Sequence, residues 1–353
     1  MPHPRAVRTT APDARPAGLR TFRLALAAAA LAVAAGTASA QSSAPAGPAA
    51  RGEPWPARTV RIVVPSPGGT GIDAVARALA QRLAQRWANP VIVDNRPGAN
   101  SLVGTEIVAR AAPDGYTLLF ASDSTFTVNP HLYAQLPYDP LADFAPVAQI
   151  VTFHQLLVAH PSLRAATVPQ FVARARAQPG QVTYASFGVG SAPHLLSELL
   201  QRETRTDLLH VPYKGLGPAV AAVLSGEATL TWAGVHSTQA HVEAGRLTAL
   251  AIAAPARSPL LPDVPTFAEL GHPTITYTLW FGLFAPAATP RPLVAQIARD
   301  VGDLLADAGF VERELRARGY EPSALATDRF AAHLHREHAA RATLVKQSGA
   351  RAE

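Results

Sequence analysis

Residues 60–73 read Val60-Arg61-Ile62-Val63-Val64-Pro65-Ser66-Pro67-Gly68-Gly69-Thr70-Gly71-Ile72-Asp73. The first five form a β-branched run closed by proline, the pattern of a short buried strand. A Gly/Pro loop follows. From Ile72 to Trp87 the apolar residues Val75, Ala76, Leu79 and Leu83 recur at helical spacing. The unit is a strand, a glycine loop and a helix. Outward from it, Val91 to Val93 reads as a second strand, closed by Asp94-Asn95-Arg96-Pro97-Gly98. Leu102 to Ala111 reads as a helix and Tyr116 to Phe120 as a third strand. This β-α-β-α-β order predicts an α/β fold with a mostly parallel sheet flanked by helices.

The alternation resumes further on. Strands are expected at Gln155 to Ala159, Val182 to Ala185, Leu208 to Val211, Ala228 to Trp232 and Leu247 to Ala253. Val168 to Ala177 and Pro193 to Arg202 read as helices, and from Pro290 to the end the chain reads as helical. At 353 residues the chain exceeds the size at which one core stops growing, so two domains are expected. Hydrophobic residues are 48% and charged residues 16%, which excludes wholesale disorder. Cysteine is absent, which excludes a disulfide scaffold, a thiol nucleophile and Cys-ligated metal.

The net charge of +6 is concentrated at the start, where residues 1–40 hold five arginines and one aspartate. The remainder is close to neutral, so no general attraction to nucleic acid is expected. Arg20 and Arg23, the apolar run Leu24 to Ala35 and Ala38-Ser39-Ala40 have the three parts of a signal peptide. The run is shorter than the roughly 20 residues of a membrane span. The expectation is a leader 1–40 cleaved before Gln41, a flexible linker 41–54 rich in Ser, Ala, Pro and Gly, and a periplasmic mature chain. A transit peptide and an uncleaved anchor are the alternatives.

Two loops carry the chemistry. After the first strand, Ser66, Gly68, Gly69 and Thr70 precede a helix N-terminus with Asp73 in its first turn. Free N–H groups and the positive end of the helix dipole suit an anion there, although an ordinary βα turn has the same look. After Val182 to Ala185, Ser186-Phe187-Gly188-Val189-Gly190-Ser191 leads into a helix carrying His194. An N-capping serine with a surface histidine is its plain alternative. Two such loops, in the two parts of the chain, could face each other across a cleft. Ser122 and Thr125, after the third strand, form a third candidate group.

Other motifs are discounted. Gly69-x-Gly71-x-x-Ala74 with Asp94 imitates a dinucleotide fingerprint, but an exported protein is not expected to meet nicotinamide cofactors. There is no G-x-S-x-G, no H-E-x-x-H and no clear nucleophile–base pair, so neither catalysis nor a cofactor is expected. His333, His335 and His338 sit among Arg336 and Arg341, which reads as a solvated helical face and not as a metal site.

Taken in order, several segments resemble one family, the Bug-type extracytoplasmic receptors of tripartite tricarboxylate transporters. They are VRIVVPSPGGTGID at 60–73, VDNRPGAN at 93–100 with Gly104, APDGYTLL at 112–119, YASFGVG at 184–190 with His194, HVPYKG at 210–215 and LLPDVPTFAELG at 260–271. The resemblance implies a two-domain periplasmic-binding-protein fold of type II. Residues 55–152 and 277–353 would form domain 1 and 153–276 domain 2, closing around a small organic anion. It implies carboxylate contacts from the loops Ser66 to Asp73 and Ser186 to His194, with bridging waters. The partners it implies are the transporter's membrane components, with the receptor itself a monomer. A ligand sensor for a membrane kinase and a secreted α/β hydrolase are the alternatives. This chain departs from the family's pattern at Ser66, often aromatic, at Trp232 to Val235, often containing Asp, at Ala288, often Gly, and at Arg341, often Trp.

Overall fold

The computed structural model describes residues 55–323 and 325–351. The expected leader 1–40 and linker 41–54 lie outside the described residues. β1 (Val60–Val64) runs into α1 (Gly71–Trp87), and β2 (Val91–Asn95) leads to α2 (Leu102–Ala109). β3 (Thr117–Ser122) is followed by the short helices α3 (Asp123–Thr127) and α4 (Asn129–Leu132), then by β4 (Phe144–Phe153). One residue, His154, separates β4 from β5 (Gln155–Ala159). The chain then alternates through α5 (Val168–Ala177), β6 (Val182–Ser186), α6 (Ala192–Thr204), β7 (Leu208–Pro212), α7 (Leu216–Ser225), β8 (Leu230–Gly234), α8 (Val235–Glu243) and β9 (Thr248–Ile252). It returns through β10 (Leu279–Pro286) to α9 (Arg291–Ala306), α10 (Ala308–Phe310), β11 (Glu321–Pro322) and α11 (Thr327–Ser348).

These strands make two sheets. The first has the order β11-β4-β10-β3-β1-β2 and the second β7-β6-β8-β5-β9. β1 pairs in parallel with β2 and β3, and β6 with β7 and β8. β10 lies antiparallel between β3 and β4, and β5 antiparallel between β8 and β9. Four strands in each sheet share a direction, as the helical crossovers require. The expectation of mostly parallel sheets is refined to mixed ones. β5 and β10 reach their positions from the other sheet and not through a helical crossover, so they run against their neighbours.

Alternate residues of β1 enter different cores. Val60, Ile62 and Val64 pack with Val75, Leu79 and Leu83 of α1 on one face, and Val63 packs with Leu119, Trp280 and Phe330 on the other. Both faces being covered is why the run is continuously apolar. The same holds for β4 and β10, which are absent from the sequence expectation. FAPVAQIVTF and LWFGLFAP carry no period of two, because both faces are buried. The expected all-helical C-terminal part is interrupted by β11, where Glu321 and Pro322 pair with Thr152 and Val151. No helix among the described residues is long and apolar enough to cross a membrane.

Candidate functional site

The β1–α1 loop is held from inside. Asp73 is buried, and its Oδ2 accepts the Gly69 N–H at 2.8 Å and Arg77 Nε at 3.0 Å, while Oδ1 accepts Asn95 Nδ2 at 2.9 Å. Asn95 Nδ2 also reaches Ser66 O at 3.1 Å. Burial works against the Asp73 charge, yet the hydrogen bonds from Arg77, Gly69 and Asn95 outweigh it and hold the carboxyl below its ordinary range. Gly69 has φ +81, a turn geometry that glycine adopts without strain. Thr70 occupies the N-cap of α1 but does not cap it, because its hydroxyl donates to Pro67 O at 2.9 Å and lies 3.0 Å from Ser66 Oγ. The first N–H groups of α1 have no side-chain cap.

A second wall comes from residues the sequence reading did not single out. Ala99, Asn100 and Ser101 have φ of 44, 51 and 75, three successive left-handed residues at the entry to α2. Such backbone is costly for residues other than glycine and persists where its surroundings fix it. Here Asn100 Nδ2 donates to Asn129 Oδ1 and Asn129 Nδ2 to Asn100 O, both at 2.9 Å, tying the turn to α4. Gly104 lets α2 approach this closely, since a Cβ there would come within 2.8 Å of Pro65 Cβ and of Arg96 O. Ser122, at the N-cap of α3, makes no capping bond and lies 3.0 Å from Ser124 Oγ.

Between these walls lies a cavity of about 670 Å³. Pro65, Ser66, Pro67 and Ile72 line it from the β1–α1 side, residues 97–101 from the α2 side, and Ser122 from the end of β3. One further lining residue, Lys214, comes from the turn after β7 in the second sheet. Lys214 is the one ionisable side chain in the lining, and none of the lining residues is acidic. Of the expected site residues, Ser66 and Ser122 reach this cavity. Gly68, Gly69, Thr70 and Asp73 shape the loop beside it. Thr125 is buried inside α3, its carbonyl taken by Tyr138 Oη at 2.9 Å.

The second expected loop is equally organised but lies outside that lining. Ser186 is wholly buried; its Oγ is 2.6 Å from His210 Nε2 and accepts the Gly188 N–H at 3.1 Å. Ser191 takes the N-cap position of α6, yet its hydroxyl donates to Gly188 O at 2.7 Å and does not cap the helix. His194 is buried too, which removes the plain alternative of a surface histidine, and its Nδ1 accepts the Gly190 N–H at 3.1 Å. His194, His210 and Tyr184 form a stack with ring centroids 4.5 and 4.8 Å apart. Gly190, with φ +79, lies against Leu132 of α4, so this loop touches the first sheet's side.

Ser186 and His210 are a serine–histidine pair that the sequence did not reveal. They do not make a hydrolase site. Burial, with His194 beside it, pushes His210 down to about 4, too weak a base at neutral pH. No carboxylate lies within ion-pair distance of His210 among the described residues, and Ser186 Oγ is enclosed.

The remaining candidates resolve in the same way. Asp94, the would-be ribose ligand, is paired with Arg61 and Arg96. Only His335 of the histidine run is exposed; His338 Nδ1 donates to Phe126 O at 3.0 Å and His131 Nε2 to His338 O at 2.8 Å, so the solvated-face expectation holds only for part of the run. No cluster with three metal-ligating side chains occurs among the described residues. Trp232 is wholly buried against Phe267 and Ser197, away from the cavity. Arg341, where the family often has Trp, is buried over the Tyr277 ring at 3.6 Å and bonds Thr278 O and Glu337.

The model of the tripartite tricarboxylate transporter family receptor matches residues 75–349. The chain belongs to this family. It is 35% identical over 298 residues to Protein BugT of Bordetella pertussis, covering 84% of this chain and 91% of BugT. Among solved structures, R. palustris Rpa4515 with adipate aligns with a TM-score of 0.79 at 31% identity, covering 84% of this chain and 98% of that one. MatC from Rhodopseudomonas palustris with bound malate aligns at 0.74 and 32% identity, covering 82% and 100%. The fold of this receptor is that of the periplasmic binding proteins, and its family is one of transport receptors and not of enzymes.

Proposed function

We propose that the receptor captures a small organic carboxylate in the cavity between Ser66, residues 97–101, Ser122 and Lys214, and hands it to the membrane components of a tripartite transporter. The observation that carries this reading is a cavity faced by the start of α1, which no side chain caps, with one cation and no acidic group in its lining. A helix N-terminus favours an anion by about 0.3–1 kcal/mol when exposed and up to about 2 when partly buried. Hydrogen bonds to a charged group add roughly 1.5–3 kcal/mol each. A few such terms reach micromolar affinity, about −8 kcal/mol, after ordering costs. The uncharged loop at 186–194, whose Ser186 and Ser191 hydroxyls are engaged within the loop, meets the ligand through its remaining N–H groups or through water when the two sheets close.

In this reading, residues 55–152 and 277–353 act as one lobe and 153–276 as the other, joined at His154 and between β9 and β10. The changes of sheet at those two places support it. Cleavage of residues 1–40, release of a periplasmic chain and action as a monomer complete the reading, and the tripartite pattern of the leader supports the first two. The relatives solved with adipate and malate make diacids the first probes. The test is calorimetry with malate, adipate and adipamide. Binding of a diacid near micromolar Kd, with adipamide at least ~100-fold weaker, is the expected result. Equal binding of adipamide and adipate would refute a carboxylate site.

A further inference from the structure

The two connections between the sheets meet at one buried polar cluster. His154 is the single residue between β4 and β5, and Thr278 directly precedes β10 on the return. Their side chains meet, with His154 Nε2 3.2 Å from Thr278 Oγ1. Tyr277, next to Thr278, is held from both sides. Its N–H donates to Ala253 O, just past β9, at 3.2 Å, while its hydroxyl reaches Asp123 Oδ2 of α3 at 3.4 Å. Arg341 of α11 covers the Tyr277 ring at 3.6 Å and donates from Nη2 to Thr278 O at 3.2 Å and to Glu337 Oε2 at 2.9 Å. Asp123, Tyr277 and Arg341 are all buried, and Arg341 Nε has no hydrogen-bond partner among the described residues. A buried ion pair with an unmet donor is a poor source of stability, since a well-packed apolar residue often does as well or better. What the guanidinium supplies is direction, because it ties one carbonyl, one ring and one carboxylate into a fixed arrangement.

We propose that Arg341 is a positioning residue for closure of the receptor: from α11 it grips the return connection at Tyr277 and Thr278, and through Thr278 the outgoing connection at His154, so that the two bend as one hinge. The proposal rests on the two-lobe reading above and adds what governs the motion. Hinges are a few loop or element-terminal residues that absorb the backbone change. With Thr278 O and the Tyr277 ring anchored to α11, bending is confined to residues on the second sheet's side, and the open receptor keeps a narrow range of lobe positions. Without the anchor that range widens, a smaller fraction of molecules is ready to close, and apparent affinity falls by that fraction. Arg341 is not in the cavity lining, so it acts on a ligand only through this motion.

The test uses spin labels on introduced cysteines, which the cysteine-free chain accepts without competing thiols. Gln85→Cys on α1 and Ala221→Cys on α7 place exposed labels on the two lobes. Pulsed electron resonance reads the distance without ligand and with adipate or malate in the labelled parent, Arg341→Met, Arg341→Lys and Thr278→Val. Melting checks folding, and calorimetry reads affinity. Arg341→Met and Thr278→Val should broaden the ligand-free distance distribution and weaken binding of whichever acid the parent takes by about 3–30-fold. Arg341→Lys keeps the charge but neither the fork nor the flat ring contact, so it should fall between parent and Arg341→Met. A merely structural role would lower the melting temperature and leave the width alone. A ligand-free width equal to the parent's in Arg341→Met, or in Thr278→Val if Arg341→Met does not fold, overturns the proposal whether or not either acid binds. If the parent binds an acid with no change of distance, the two-lobe reading itself fails, and the role of Arg341 falls with it.

Discussion

Asp73 and Asp123 each stand in the first turn of a helix that follows a strand of the first sheet, yet their carboxyl groups are held in opposite ways. Asp73 is enclosed by donors, so its carboxyl is held low. Such a group stabilises the fold above its unfolded pKa of about 3.9, and the contribution is lost as pH falls through the folded value. Asp73→Ala leaves the Gly69 N–H and Asn95 without their acceptor. It should lower stability by about 1–3 kcal/mol in denaturant melts and weaken ligand binding through the loosened loop. Asp123 is wholly buried, and burial pushes it up to about 7 although Arg341 pulls it down. Its contribution is fully present below the unfolded value and is lost as pH rises from about 4 through about 7. Asp123→Asn should therefore flatten the melting temperature across that window, while a wild-type slope retained in the variant would show that another group sets it.

At the scale of elements, the close seating of α2 on the β1–α1 loop matters most. A methyl at Gly104 would press on Pro65 and the Arg96 carbonyl, which are backbone or ring atoms with little freedom to yield. Gly104→Ala should cost about 1–3 kcal/mol in stability and also move the wall at residues 97–101. Chemical denaturation reads the first effect and calorimetry the second. Much of this architecture was legible beforehand. The β-branched run at 60–64 and the spacing of Val75, Leu79 and Leu83 are local signals, and they gave β1, α1 and their loop. β4 and β10 were not legible, because strands buried on both faces lose their alternation. The left-handed run at 99–101 was hidden for a different reason. Its support is Asn129, twenty-nine residues on, and no local rule asks for that pairing. Lys214 was visible only as part of a motif, since nothing in the sequence places the turn after β7 opposite the wall at Ser66.

For the whole molecule, several contacts join the two sheets' sides. Tyr320 Oη lies 3.4 Å from His236 Nε2, and both groups crowd Gly71 at the start of α1. Arg202 of α6 holds Gln347 of α11 through its side chain at 2.5 Å and its carbonyl at 2.6 Å. A side chain at residue 71 would collide with Tyr320, so Gly71→Val should reduce diacid affinity by at least ~10-fold with the melting temperature lowered. In the proposed function the ligand's carboxylate lies in the cavity between the first sheet's uncharged wall and the turn after β7. A crystal structure of the receptor grown with adipate or malate tests this placement. Ligand density is expected in the 670 Å³ cavity, with one carboxylate within hydrogen-bond distance of the Ser66–Ile72 segment or residues 97–101. Density instead in the groove of about 470 Å³ between the start of α5 and β9, or a cavity ligand with no acidic group, would contradict it.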